Sequence, residues 1–214
     1  MSQLAQAVID TAMAMNRLGL NAGMSGNVSA RLDVNNMLIT PSGMAYEALG
    51  PADIPQTRLD DGAFDGRYKP SSEWRFHADI YRLRSDLGAV VHVHSRAATA
   101  LACLHRDIPP FHYMVAMAGG HRIPCVGYAT FGSQELSEQV LTAVSKVDAC
   151  LMANHGMLAC GSDLSAALAL ALEVEHLAAV YLDCLAVGDP VLLEAAEMDR
   201  VLEKFKGYGR HAQQ

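Results

Sequence analysis

The sequence predicts one three-layer α/β/α domain, with a central mixed or antiparallel sheet flanked by helices. Three observations predict it. At 214 residues the chain is long enough for one well-buried domain and short for two. A hydrophobic content of 51% supports a large core and lies well outside the disordered range. Strand-forming runs alternate with runs at helical spacing, and no repeat, linker or low-complexity segment separates them. Residues 1–214 are therefore read as a single domain, with a tail over 206–214 expected to be mobile.

Leu4, Val8, Thr11, Met15 and Leu18 fall at helical spacing, and Gly19 can stop that helix. A glycine-bearing loop, Gly23 to Asn27, leads into short strands at Val28–Leu32 and Met37–Thr40, with Asn35-Asn36 suited to the hairpin between them. Turns follow at Pro41-Ser42-Gly43 and Asp60-Asp61-Gly62. Pro70-Ser71-Ser72 is read as opening a helix that runs to about Arg84. The apolar run Ala89 to His94, rich in valine, is a strand. A short helix is expected over Arg96–Leu104, a strand near Ile123–Val126 and a helix over Ser133–Lys146. Two strands, Cys150–Ala153 and Met157–Cys160, flank a turn at His155. Helices near Asp163–Val187 and Leu192–Lys206 complete the chain, and the order of strands in the sheet stays open.

Charge and cysteine usage narrow the function. Sixteen Lys and Arg against 23 Asp and Glu give a formal net charge of −7, which argues against non-specific binding to nucleic acid or to an anionic membrane. An anionic ligand must then be captured by local groups. The most apolar long stretch, Leu164 to Val187, carries Glu173, Glu175, His176 and Asp183 and reads as a core helix, not a membrane span. Residues 1–15 lack the basic start and cleavage site of a secretory signal. Five scattered cysteines without C-x-x-C spacing are expected to be reduced thiols in a cytoplasmic protein.

His92-Val93-His94 is the most informative feature. In a strand the two imidazoles project from one face while Val91 and Val93 occupy the other. One H-x-H pair is more often accidental than catalytic. A third histidine, in Asn154-His155-Gly156, makes three protein ligands, which is how catalytic zinc is usually held with one position open. Glu73 has two readings: a first-turn acid that favours the helix dipole, or a general base beside the metal. No capping box supports the first, since Trp74 and Arg75 hold the positions it needs. Ser71-Ser72 at a helix N-terminus, with Gly26-Asn27 and Ser42-Gly43, are small polar turns able to approach a phosphate. Singly, such turns are ordinary. His77, one turn after Glu73, is read as packing or as support for a ligand more readily than as a ligand itself. Glu173-x-x-His176 occurs once where di-iron bundles need it twice, and neither a dinucleotide fingerprint nor a Walker-type lysine loop is present.

In this order, Gly26-Asn27-Val28-Ser29, Pro41-Ser42-Gly43, Ser71-Ser72-Glu73, His92-Val93-His94 and Asn154-His155-Gly156 resemble the class II aldolase/adducin superfamily, most closely its branch acting on L-fuculose 1-phosphate. Ser71–His77, Ile108–Met114, Tyr128–Gly132 and Glu203–Gly209 add to the likeness, which covers nearly the whole chain. The resemblance implies His92, His94 and His155 as ligands of one Zn2+ per subunit, with Glu73 as acid/base and as a further ligand when substrate is absent. It implies Gly26, Asn27, Ser42, Gly43, Ser71 and Ser72 as the phosphate site. Tyr113 and Tyr208 would reach the site from a neighbouring subunit of a homotetramer; unaided, they read as packing and tail residues. The implied reaction is reversible cleavage of L-fuculose 1-phosphate to dihydroxyacetone phosphate and L-lactaldehyde through a metal-stabilised enediolate. Ser95-Arg96 after the histidine pair is similar to the related L-ribulose-5-phosphate 4-epimerases, whereas Ser72-Glu73 differs from their Ser-Asp. An epimerase, a dehydratase, a decarboxylase, an aldolase for another deoxy-sugar 1-phosphate and a metal-free adducin-like interaction module are the alternatives.

Overall fold

The computed structural model describes residues 1–207, and the expected tail beyond them lies outside the described residues. The helices are α1 (Ser2–Arg17), α2 (Trp74–Leu83), α3 (Arg96–Cys103), α4 (Gln134–Val144), α5 (Leu164–Val187) and α6 (Ala195–Gly207). The strands are β1 (Asn27–Arg31), β2 (Asn36–Ile39), β3 (Gln56–Arg58), β4 (Phe64–Asp65), β5 (Ala89–Val93), β6 (Cys125–Val126), β7 (Ala149–Met152) and β8 (Gly156–Gly161). They form one sheet in the order β4-β3-β2-β1-β5-β8-β7-β6, antiparallel throughout except for the parallel β6–β7 pair.

Alternation along the strands sorts side chains into two cores, one on each face of the sheet. Val28, Ala30, Val91, Val93, Leu151 and Met157 join α1, α3 and α5 in one. Met37, Ile39, Val90, Cys150, Met152 and Leu158 join α2 and α4 in the other. The expected three-layer α/β/α arrangement is therefore present, with His92 on the α2 face, opposite Val91 and Val93. Asp163 caps α5 by accepting a hydrogen bond from Ala166 N at 2.9 Å, and Ser133 caps α4 in the same way.

Several boundaries differ from the sequence reading. α2 starts at Trp74, not at Ser71, because Ser71 turns back to accept a bond from Trp74 N (3.0 Å) while its own N–H bonds Thr40 O (3.0 Å). α6 starts at Ala195, not at Leu192, and Leu193 N bonds Pro110 O (2.8 Å) ahead of it. β3, β4 and the 3-10 turn over Tyr113–Ala118 had no periodic signal, being two or three residues long or carried by a single turn. Among the described residues no helix is long and apolar enough to cross a membrane.

Candidate metal centre and active site

Three neighbouring strands and the start of one helix converge on the site. Asn27 opens β1 opposite His92 of β5, and β8 pairs with β5 on its other side. His94 lies just past the end of β5. His155 sits in the turn from β7 to β8, where Asn154 adopts a left-handed conformation (φ 54°) and His155 N bonds Met152 O at 3.0 Å. Two glycines let these backbones meet. A Cβ on Gly26 would stand 2.7 Å from the His92 carbonyl oxygen, and one on Gly156 would stand 2.5 Å from Val93 O and 2.7 Å from the His94 ring.

The three imidazoles form a tight cluster, with ring centroids 4.8 to 5.0 Å apart. One nitrogen from each of His92, His94 and His155 lies within 4.8 Å of the others, a set that could hold a metal ion. Glu73 joins them, with Oε2 3.1 Å from His92 Nε2 and Oε1 3.3 Å from His155 Nε2. His92 Nδ1 donates to Met157 O at 2.9 Å, which turns a neutral Nε2 lone pair toward the carboxylate. Two acceptors facing each other need a positive charge beside them, a proton on His92 or a metal. His92 Nε2, His94 Nε2 and Glu73 Oε1 are all buried without a hydrogen-bond partner, so the donor set fits a cation.

The titration behaviour agrees. Burial, with the charge of neighbouring His92, lowers His94 and His155 to about 4, so near neutrality both imidazoles are neutral, as metal binding requires. Burial opposes charge on His92 too, but the Glu73 carboxylate outweighs it and raises His92. For Glu73, burial pushes upward, yet the charges of His92 and His155 and the bonds from His92 and Asn27 win and hold the carboxyl at about 2.

A pocket of about 400 Å3 opens over this cluster. The sequence-predicted Gly26, Asn27, Ser42, Gly43, Ser71, Ser72, Glu73, His94 and His155 all line it. The serine arrangement differs from a free helix N-terminus: Ser72 N donates to Ser42 Oγ (2.9 Å), and Ser42 Oγ in turn donates to Pro70 O (3.1 Å). The backbone N–H groups of Ser71 and Ser72 are thus already used, and what these residues offer an anion is hydroxyl groups. Asn27 is also engaged, its Nδ2 donating to Glu73 Oε2 at 3.0 Å and its Oδ1 lying 2.6 Å from His77 Nε2, which leaves one amide hydrogen for a ligand.

Tyr113 is not part of this pocket. It is 50% exposed and stacks beside Phe205 of α6 at 6.5 Å. Tyr208 lies outside the described residues. Met24, Tyr128, Ala129 and Phe131 line the pocket without having been assigned to it from sequence, although Tyr128–Gly132 carried part of the family resemblance; Tyr128 and Phe131 are exposed. Tyr46 was missed as well: its hydroxyl donates to Gly26 O at 2.5 Å and pins the loop.

This fold is that of known proteins. A family model described as the Class II Aldolase and Adducin N-terminal domain matches residues 6–182. The chain is 53% identical over 211 residues to a 5-methylthioribulose-1-phosphate/5-deoxyribulose-1-phosphate aldolase of Rhodospirillum rubrum, covering 98% of this chain and 94% of that one. It is 50% identical to an L-fuculose phosphate aldolase of Escherichia coli K12, covering 97% and 96%. A solved L-fuculose 1-phosphate aldolase superimposes with a TM-score of 0.92 at 36% identity, covering 96% of this chain and 97% of that one. The chain belongs to the class II aldolase and adducin family, and it is an enzyme of the lyase class, of a metal-dependent type.

Proposed function

We propose that the protein is a zinc-dependent aldolase that cleaves a deoxyketose 1-phosphate to dihydroxyacetone phosphate and a short aldehyde. The observation that carries this reading is the buried carboxylate of Glu73 set 3.1 and 3.3 Å from two members of a three-histidine cluster, at the floor of a pocket. L-fuculose 1-phosphate is one substrate of this class. 5-Deoxyribulose 1-phosphate and 5-methylthioribulose 1-phosphate are others, supported by the 53% relative as L-fuculose 1-phosphate is by the 50% one. All three join a phosphorylated end to an unphosphorylated end that is a methyl or a thioether. The pocket suits that shape: the hydroxyls of Ser71 and Ser72, with the turns at Gly26 and Ser42-Gly43, form a neutral seat for one phosphate, while Met24, Tyr128 and Phe131 offer apolar surface. None of the described lining residues is Lys or Arg, which favours one phosphate over two.

His92, His94 and His155 would hold the metal, which when bound supplies Lewis-acid polarisation of the substrate carbonyl. The residues of the chain do the rest. Glu73, ionised and without a hydrogen bond at Oε1, removes the proton from carbon in synthesis and returns it to that carbon in cleavage. Burial of Glu73 and His92 keeps water from competing for that proton. Tyr113, exposed on its own subunit, and Tyr208 would complete the pocket of a neighbouring subunit in a homotetramer, where a tyrosine hydroxyl exchanges a proton with the alkoxide. The five unpaired thiols suit a reducing, cytoplasmic setting.

Release of dihydroxyacetone phosphate from the three ketose 1-phosphates, and the fate of L-ribulose 5-phosphate followed alongside, before and after chelation and with zinc, manganese or cobalt restored, test this reading. Metal-dependent release from at least one 1-phosphate, strongest with zinc, is expected. Isomerisation of L-ribulose 5-phosphate without release of a triose would replace the aldolase with an epimerase.

A further inference from the structure

Two short sequence patterns interlock behind Glu73. Along the start of α2, Glu73, His77 and Tyr81 follow at intervals of four and share one face; on β1, Asn27 and Ser29 are two apart and share one face. Packed together they alternate as Tyr81, Ser29, His77, Asn27 and Glu73. Tyr81 Oη lies 2.8 Å from Ser29 Oγ, Ser29 Oγ 2.7 Å from His77 Nδ1, His77 Nε2 2.6 Å from Asn27 Oδ1, and Asn27 Nδ2 3.0 Å from Glu73 Oε2. All five residues are at most 5% exposed, so water cannot substitute for a missing partner.

An ionised carboxylate only accepts, and that fixes the direction of every bond in the row. Asn27 must turn its NH2 group to Glu73 and its oxygen to His77. His77 must then donate from Nε2, and because burial keeps the ring neutral, Nδ1 accepts and a single tautomer is left. Ser29 donates to His77 and accepts from Tyr81. Each donor points toward Glu73, and bonds aligned head to tail strengthen one another.

We propose that His77 is a positioning residue for the reaction: through Asn27 it locks the amide with its NH2 group on Glu73, and so holds the carboxylate in the rotamer that proton transfer requires. This rests on the reading of Glu73 as the proton acceptor of the aldolase. Without the His77 donor, the Asn27 amide is free to invert and face the carboxylate with its oxygen, which repels the ionised form. Glutamine places Nε2 near the position of the histidine Nε2 and can restore the donor; leucine fills the space without one.

The test uses full-length, zinc-loaded protein carrying His77→Leu, His77→Gln, Ser29→Ala or Ser137→Ala. Ser137 Oγ donates to Asp79 Oδ2 at 2.7 Å on the α2–α4 face, and it serves as a control for loosening α2 away from the row. For His77→Leu, kcat is expected to fall about 10- to 100-fold with KM within about twofold of wild type. His77→Gln should recover most of the loss, Ser29→Ala should show a smaller fall of the same kind, and Ser137→Ala should leave kcat unchanged. Independently of turnover, long-range 15N–1H spectra of the wild-type protein should show His77 neutral with its proton on Nε2, slow to exchange. A His77→Leu kcat within about twofold of wild type overturns the proposal. So does a folded His77→Gln no faster than His77→Leu, or a His77 proton on Nδ1. If His77→Leu does not fold, the Ser29→Ala split and the tautomer decide. If wild type cleaves no ketose 1-phosphate, the functional reading fails on its own, and the spectra still decide the direction of the row.

Discussion

Gly26→Ala is the most direct test of how the site is held. The added Cβ would stand 2.7 Å from the His92 carbonyl oxygen and 3.1 Å from Asn21 Cγ. The first contact is with backbone in the central strand β5, which cannot swing aside as a side-chain tip would. Reaching the ordinary contact range, which begins at 3.4 Å, takes a displacement of about 0.7 Å between β1 and β5. Metal–ligand distances tolerate about 0.2 Å, so a shift of that size at His92 exceeds what the cluster absorbs. Zinc affinity is expected to fall about 10- to 100-fold, or about 1.4 to 2.7 kcal/mol. The stability of the metal-free protein should fall by about 1–3 kcal/mol from overpacking alone. Chelator competition measures the first and urea unfolding the second. Gly50→Ala is the control, because its Cβ would meet nothing closer than 3.7 Å. Wild-type zinc affinity in Gly26→Ala, with an unchanged urea midpoint, would refute the view that Gly26 is required by close approach of backbones.

Two further outcomes follow from the geometry. Glu73→Gln should lower turnover by about 100-fold or more, since proton transfer by a placed side chain is worth about 10²–10⁴; it should still fold, with Asn27 keeping an acceptor in the amide oxygen, and near-normal turnover would remove Glu73 from the mechanism. Metal-free protein should lose stability as pH falls. Burial, aided by the His92 charge, lowers His77 from 6.5 to about 3, so the unfolded chain takes up a proton that the fold excludes. The His77 contribution is complete above pH 6.5 and declines below it, by about 3 kcal/mol between pH 6.5 and 4. Urea titrations across that range should show the decline shrink in His77→Gln, and an identical pH dependence in both proteins would show that His77 does not carry it.

The parts of the fold that were legible in the sequence are those whose signal is periodic. α5, with polar residues few and spaced, and β5, with its valines, could be read within a residue or two. β3 and β4 could not, because strands of three and two residues offer no period and take their conformation from pairing, β3 with β2 and β4 with β3. The histidine cluster was legible because H-x-H on a strand fixes a shared face by geometry alone. His155 needed the further fact that β8 lies beside β5, which no local pattern encodes. Ser71 and Ser72 do line the pocket beside Glu73, but the free N–H groups expected of them are absent: their backbone N–H groups bond Thr40 and Ser42, and only the register of two distant turns decides that.

Asn27 shows what connects these levels. From sequence it is one of several small polar turn residues and a candidate for phosphate. In the fold it begins β1 directly opposite His92, with its side chain on the α2 face between Glu73 and His77. Its amide therefore ties the start of α2 to β1, beside the strand that carries His92, and the same contact orients the Glu73 carboxylate. A substitution at Asn27 would move both together. Loss of turnover in an Asn27 variant is thus no measure of phosphate binding unless KM rises while kcat holds, because loss of the carboxylate's orientation lowers kcat with KM nearly unchanged.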